Sequence, residues 1–161
     1  MMAEELIAGR KGTTMQDANT GLVEGSTVMT LAGARPVEAL RPGDRVITRA
    51  GALVLRGIEL RTERHARLVR ISASALGAER PDEDIVVAAD QPILVRDWRA
   101  QALAGTTCAM IPAARLADGE YIRAEARRDT RFFRLCFDGP AVIFAQGLEF
   151  GCEAVAVAVP A

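Results

Sequence analysis

The stretch from Gly21 to Thr48 constrains the fold more than any other part of the chain. Leu22, Val23 and Val28 form a strand-like apolar run, which Gly33 breaks with a turn. Residues 37–40 lead into Pro42-Gly43, where proline presets φ and glycine can take the positive φ of a tight turn. Val46-Ile47-Thr48 is then a short β-branched strand. The stretch therefore reads as strand, turn, short connection, tight turn and strand.

The rest of the chain continues in this manner. Ala50-Gly51 is a hairpin-type turn, and Gly57 inside the strand 53–60 marks a bulge or bend. Residues 61–66 are charged and read as solvated, with strand resuming over 68–71. Residues 73–76 make a helical turn ended by Gly77, and 79–84 form a charged loop. A buried strand over 85–89 is interrupted at Asp90-Gln91-Pro92 and resumes over 93–95. Residues 100–103 suit a short helix closed by Gly105, 110–112 a brief strand, 113–117 a helical turn, and 120–124 the start of another strand.

Residues 131–137 and 141–145, separated by Asp138-Gly139-Pro140, read as the clearest hairpin. Period two puts Phe133, Leu135 and Phe137 on its core face, with Phe132 and Arg134 on the charged outer face. Residues 146–152 read as a loop, and the alternating Ala and Val of 154–159 as a closing strand. Short strands at roughly 8–12-residue spacing mean an all-β sandwich or barrel. The bulge glycines favour a compact, closed form.

Length predicts one domain: a polar N-terminal arm over residues 1–19 and a β domain over 20–161. With 50% hydrophobic and 25% charged residues, the chain falls in the soluble globular class. Twenty basic residues against 21 acidic ones, a net charge of −1, argue against a dedicated nucleic-acid binder. Cys108, Cys136 and Cys152 are an odd count with no C-x-x-C spacing, and His65 is the sole histidine. No metal site and no cofactor are expected, and the thiols read as buried in a reducing compartment. No apolar run reaches the ~18 residues of a membrane span. The first nine residues carry acids where a signal peptide needs bases, so the expected location is cytoplasmic. Export without a leader would leave no mark in the sequence.

The residues G-x-x-x-G-S-x-V-x-T of 21–30, then P-V-E-x-L-R-P-G-D-R-V-I-T of 36–48, resemble the opening of a Hint domain. Hint domains are the autoprocessing modules of hedgehog proteins and inteins, and the likeness is closest to a bacterial branch that opens C-F-x-x-G-T. Ala75-Leu76-Gly77, the 85–95 pair, Trp98-Arg99-Ala100, Pro112-Ala113 with Leu116, and the 132–148 segment are similar to later pieces of that pattern, in order. The resemblance covers roughly residues 20–154 and implies a horseshoe-like all-β fold. It also implies a cysteine that attacks the preceding carbonyl and a Ser/Thr-x-x-His pair that supplies the amine proton. At those positions this chain has Gly21, Ala88 and Gln91, and Arg134 and Pro140 stand where relatives carry histidines. Glutamine cannot transfer a proton at pH 7.

The implied function is a non-cleaving structural or protein-interaction module, with no nucleic acid, membrane or metal as partner. The alternative is residual autoproteolysis through Thr20 or Ser26, each lacking an evident base. Ser26 otherwise reads as satisfying backbone, and His65 as a solvated surface residue. A third reading uses Arg127, Arg128, Arg131 and Arg134 with Phe132 and Phe133 as a single-strand nucleic-acid platform. If the resemblance holds, Gly21, Ala88 and Gln91 converge, and the Gln91 amide bonds backbone near Thr20 or Gly21.

Overall fold

The computed structural model describes residues 19–152. Nearly all of the expected arm and the expected strand over 154–159 lie outside the described residues. In chain order the strands are β1 (Leu22–Val23), β2 (Thr27–Thr30), β3 (Gly33–Pro36), β4 (Arg45–Thr48), β5 (Gly51–Val54), β6 (Gly57–Ile71), β7 (Ile85–Ala88), β8 (Pro92–Val95), β9 (Ala109–Pro112), β10 (Ile122–Cys136), β11 (Ala141–Ala145) and β12 (Leu148–Cys152). One helix, α1 (Trp98–Ala104), falls between β8 and β9. Asp97 caps it by accepting the Arg99 N–H, and Gly105 ends it in left-handed backbone. The molecule is all-β, as expected.

Two sheets divide the strands. β10, β1, β7 and β6 close into a small barrel, and the others form an eight-stranded sheet in the order β9-β8-β12-β11-β2-β4-β5, with β3 on β2. The chain crosses between them at residues 24–26, 55–56, 89–91, 113–121 and 137–140. The bend read at Gly57 and the break read at Asp90-Gln91-Pro92 are two of these crossings. The main core fills the space between the sheets, with Leu22, Val87, Phe133 and Leu135 from one side and Val28, Ile93, Ile143 and Phe150 from the other. A second cluster of Val23, Ala66, Leu68, Ala88 and Phe132 comes from the barrel strands alone.

Several expectations are corrected. β10 does not pair with β11: it pairs with β6 along its length and with β1. Pro140 has no N–H to give a ladder, and Gly139-Pro140 carries the chain into the other sheet. The hairpin is instead β11–β12, closed at Gln146-Gly147, both with positive φ (49° and 83°). Residues 148–152 are thus strand and not loop, buried over 148–150 and half-buried at Gly151 and Cys152. Residues 61–66 belong to the 15-residue β6, and residues 122–136 form one continuous strand. Residues 73–76 form turns without helix. Phe133, Leu135 and Phe137 are in the core, yet Phe132 is also buried, in the barrel cluster.

Candidate functional site

The site lies where β1 begins, where the chain crosses into β8, and where β12 ends. Gln91 is 3% exposed. The Gly21 N–H donates to its Oε1 at 2.8 Å, and its Nε2 donates to the Gly151 and Pro92 carbonyls at 2.9 and 3.0 Å. One side chain thereby ties together three segments that are remote in sequence. The physical reason is desolvation, since a buried amide left unpaired costs about 1–3 kcal/mol. Gly21 has φ 120°, and a Cβ there would lie 3.2 Å from the Phe133 carbonyl oxygen and 3.4 Å from the Phe132 Cβ. A cysteine fits this backbone only with strain.

Leu22 pairs with Val87, and that antiparallel register, carried on by one residue, sets Gly21 opposite Ala88. Ala88 itself packs into the barrel cluster and is fully buried. The cleft beside Gly21 holds about 50 Å³ and is walled by Gln91, Phe133, Ile143, Phe150 and Cys152, with Thr20 and Arg134 also lining it. The structure therefore brings Gly21 and Gln91 into contact, while Ala88 does not line the cleft. Phe133 and Phe150, and not Ala88, stand beside Gly21 in the cleft wall.

Thr20 is anchored from both sides. Arg134 Nε donates to its Oγ1 at 3.1 Å, and Arg134 is also paired with Glu59 at 3.0 Å. The preceding Asn19 carbonyl accepts the Asp90 N–H at 2.9 Å, and the Asn19 side chain bonds Arg61 and the Arg67 carbonyl. Ser26 is buried in the first crossing, its N–H on the Val23 carbonyl and its carbonyl on the Val37 N–H, and it does not line the cleft. Pro140 is exposed on a separate groove with Met110, Pro112 and Val142. His65 is exposed, opposite Arg128. Of the thiols only Cys136 is buried, and burial pushes it up; Cys108 is exposed and Cys152 half-buried, which corrects the expectation of three buried thiols. Among the described residues no three His, Cys, Asp or Glu side chains converge as metal ligands, and no helix is long and apolar enough to cross a membrane.

Sequence reasoning missed Arg134 as the partner of Thr20, and Phe150 and Cys152 as cleft walls, because 146–152 reads as loop. It also missed Glu149, which is buried beneath Arg49, Arg80 and Arg96 at 2.5, 3.2 and 2.5 Å. The apolar alternation Leu148, Phe150 is the one signal that could have found β12.

This two-sheet architecture, with strand ends and crossings meeting at one cleft, is that of intein-type modules. A bacterial intein-like domain from Clostridium thermocellum is similar over 84% of this chain and 99% of its own, with TM-score 0.58 and 14% identity. The AceL NrdHF class 3 split intein, a splice-inactive variant, is similar with TM-score 0.54 and 12% identity over the same shares of both chains. The gp41-1 intein covers 81% of this chain and 97% of its own, with TM-score 0.50 and 10% identity. At such identities the likeness is one of fold. No curated protein sequence matches the chain. The sequence model of the Hint domain matches residues 20–155, and this chain belongs to that family.

Proposed function

We propose that this chain is a Hint-fold module that no longer cleaves itself and acts as a structural or protein-interaction unit. The observation that supports this most directly is the Gly21–Gln91 contact. The family's positions for thiol and acid meet here as a backbone N–H and an amide, and neither can form a thioester or protonate a leaving amine. The test is incubation of the purified protein with a thiol or hydroxylamine, followed by intact mass spectrometry. An unchanged mass is expected, and a break before Thr20 or Gly21 overturns the proposal. Gly21→Cys alone is expected to give no cleavage, because the proton donor is still missing. Gly21→Cys with Ala88→Thr and Gln91→His restores the family's residue types, against the strain at φ 120° and with position 88 buried in the barrel cluster and outside the cleft.

One observation favours residual autoproteolysis as a second reading. In an N→O shift the Thr20 oxygen attacks the Asn19 carbonyl, and that carbonyl already accepts the Asp90 N–H. Arg134 donates to the same hydroxyl but cannot remove its proton. Wild type and a Thr20→Ala, Ser26→Ala variant that yield no fragment alike remove this reading.

A further inference from the structure

Two arginine-rich stretches far apart in sequence become one surface. β6 and β10 pair antiparallel from Gly57 opposite Cys136 to Ile71 opposite Ile122. Over residues 61–70 and 123–131 this ribbon carries eight arginines against three acids, a local charge of +5 on a chain whose total is −1. Glu63 is engaged by Arg61, and Glu125 by Arg70 and Arg127. Arg64, Arg123 and Arg128 are exposed and have no acidic partner among the described residues. Arg123 stands directly opposite Arg70, and Arg128 directly opposite His65. Arg70 is already paired with Glu125, so Arg123 is the guanidinium of that cross-strand pair left to an external anion.

The shape selects among polyanions. Period two sets Arg123, Arg127 and Arg131 of β10, with Arg64 of β6, on one face of the ribbon, a row about 27 Å long at strand rise that suits a repeating charge, and Arg61, Arg67 and Arg128 on the other. Over residues 62–67 and 126–131 neither strand has a further partner strand among the described residues, and such a two-stranded ribbon fits the ~12 Å major groove of a duplex. Single strands are held by aromatic platforms, but Phe132 and Phe133 are 1% and 6% exposed, with Arg61 and Arg131 laid over their rings. We infer that the β6–β10 ribbon binds double-stranded nucleic acid through its phosphates, without reading sequence. The near-neutral balance of the whole chain conceals this, because the remainder of the molecule carries the excess acid.

The test is fluorescence anisotropy of the full chain with a labelled duplex of about 20 base pairs, from about 50 mM salt upward. Binding is expected, with a slope of log K against log salt of about −3 for three phosphate contacts. Arg64→Glu with Arg127→Glu is expected to weaken binding at least about tenfold, and Arg123→Gln to reduce the slope by about one. Circular dichroism establishes that each variant folds. If the double variant does not, Arg123→Gln and the wild-type salt series still decide. The inference is overturned by absence of binding at about 50 mM salt, or by variants that bind as wild type does. It is equally overturned by a single strand of the same sequence binding tighter than the duplex, or by a polyglutamate peptide or phosphatidylserine vesicles binding where the duplex does not.

Discussion

Gln91 has a full structural role. Its amide uses one acceptor and two donor bonds on backbone groups of β12, β8 and the approach to β1. Gln91→Ala orphans the Gly21 N–H and the Gly151 carbonyl in a buried setting. A loss of about 2–4 kcal/mol is expected in urea denaturation. A result within about 0.5 kcal/mol of wild type, the range of a neutral surface substitution, would mean water takes over these bonds. Gly21 shows the same point from the backbone side. Its positive φ and the nearby Phe133 carbonyl explain why glycine suits this position, which the sequence alone presents only as a missing nucleophile.

The elements divide according to how local their causes are. The turns β2–β3 and β4–β5 share one device. Thr30 and Thr48 each donate to the carbonyl of a glycine three residues on, at 2.7 and 2.6 Å, and accept the N–H two residues on. Gly33 and Gly51 both take positive φ. These turns were readable from their glycines, whereas the threonine three residues before each glycine shows its role only in the structure. The Gln146-Gly147 turn was not, since glutamine gives little signal for left-handed backbone and Asp138-Gly139-Pro140 gives a stronger one.

The crossing into β10 is held by Asp118, whose Oδ1 accepts the N–H groups of Glu120, Tyr121 and Ile122. These bonds, Ile122 foremost, hold its carboxyl below the usual range, and the Arg70 guanidinium does the same for Glu125. A depressed carboxyl pKa stabilises the fold above its unfolded value near pH 4, and that contribution is lost as pH falls through the lower folded value. Thermal denaturation between about pH 7 and pH 2 should therefore show an acid limb, and Asp118→Asn or Glu125→Gln should flatten it. An unchanged limb in both variants would place the acid sensitivity elsewhere.

At the scale of the whole molecule, the buried Glu149 joins parts that no local rule connects. Its carboxylate on β12 gathers Arg49 from the β4–β5 turn, Arg80 from the loop before β7, and Arg96 from the end of β8. Removing the acid leaves three guanidiniums in mutual repulsion, although Arg49 and Arg96 are half-exposed and return partly to water. Glu149→Ala is expected to cost about 2 kcal/mol in thermal denaturation, at the low end for a broken buried pair. A loss below about 0.5 kcal/mol would show that the cluster adds nothing beyond its surface share.

The sequence by itself determined the all-β class, the breaks at Gly57 and Asp90-Gln91-Pro92, the short helix with its Gly105 stop, and the family. Each of these rests on residues close together in the chain, where turn chemistry and motif order act. Only the tertiary structure decided that β10 pairs with β6, that Gln91 binds Gly21, that Arg134 holds Thr20, and that two arginine stretches become one ribbon. Strand partners are chosen by which apolar faces can be buried together across the whole chain, and that choice is made far from the residues it joins.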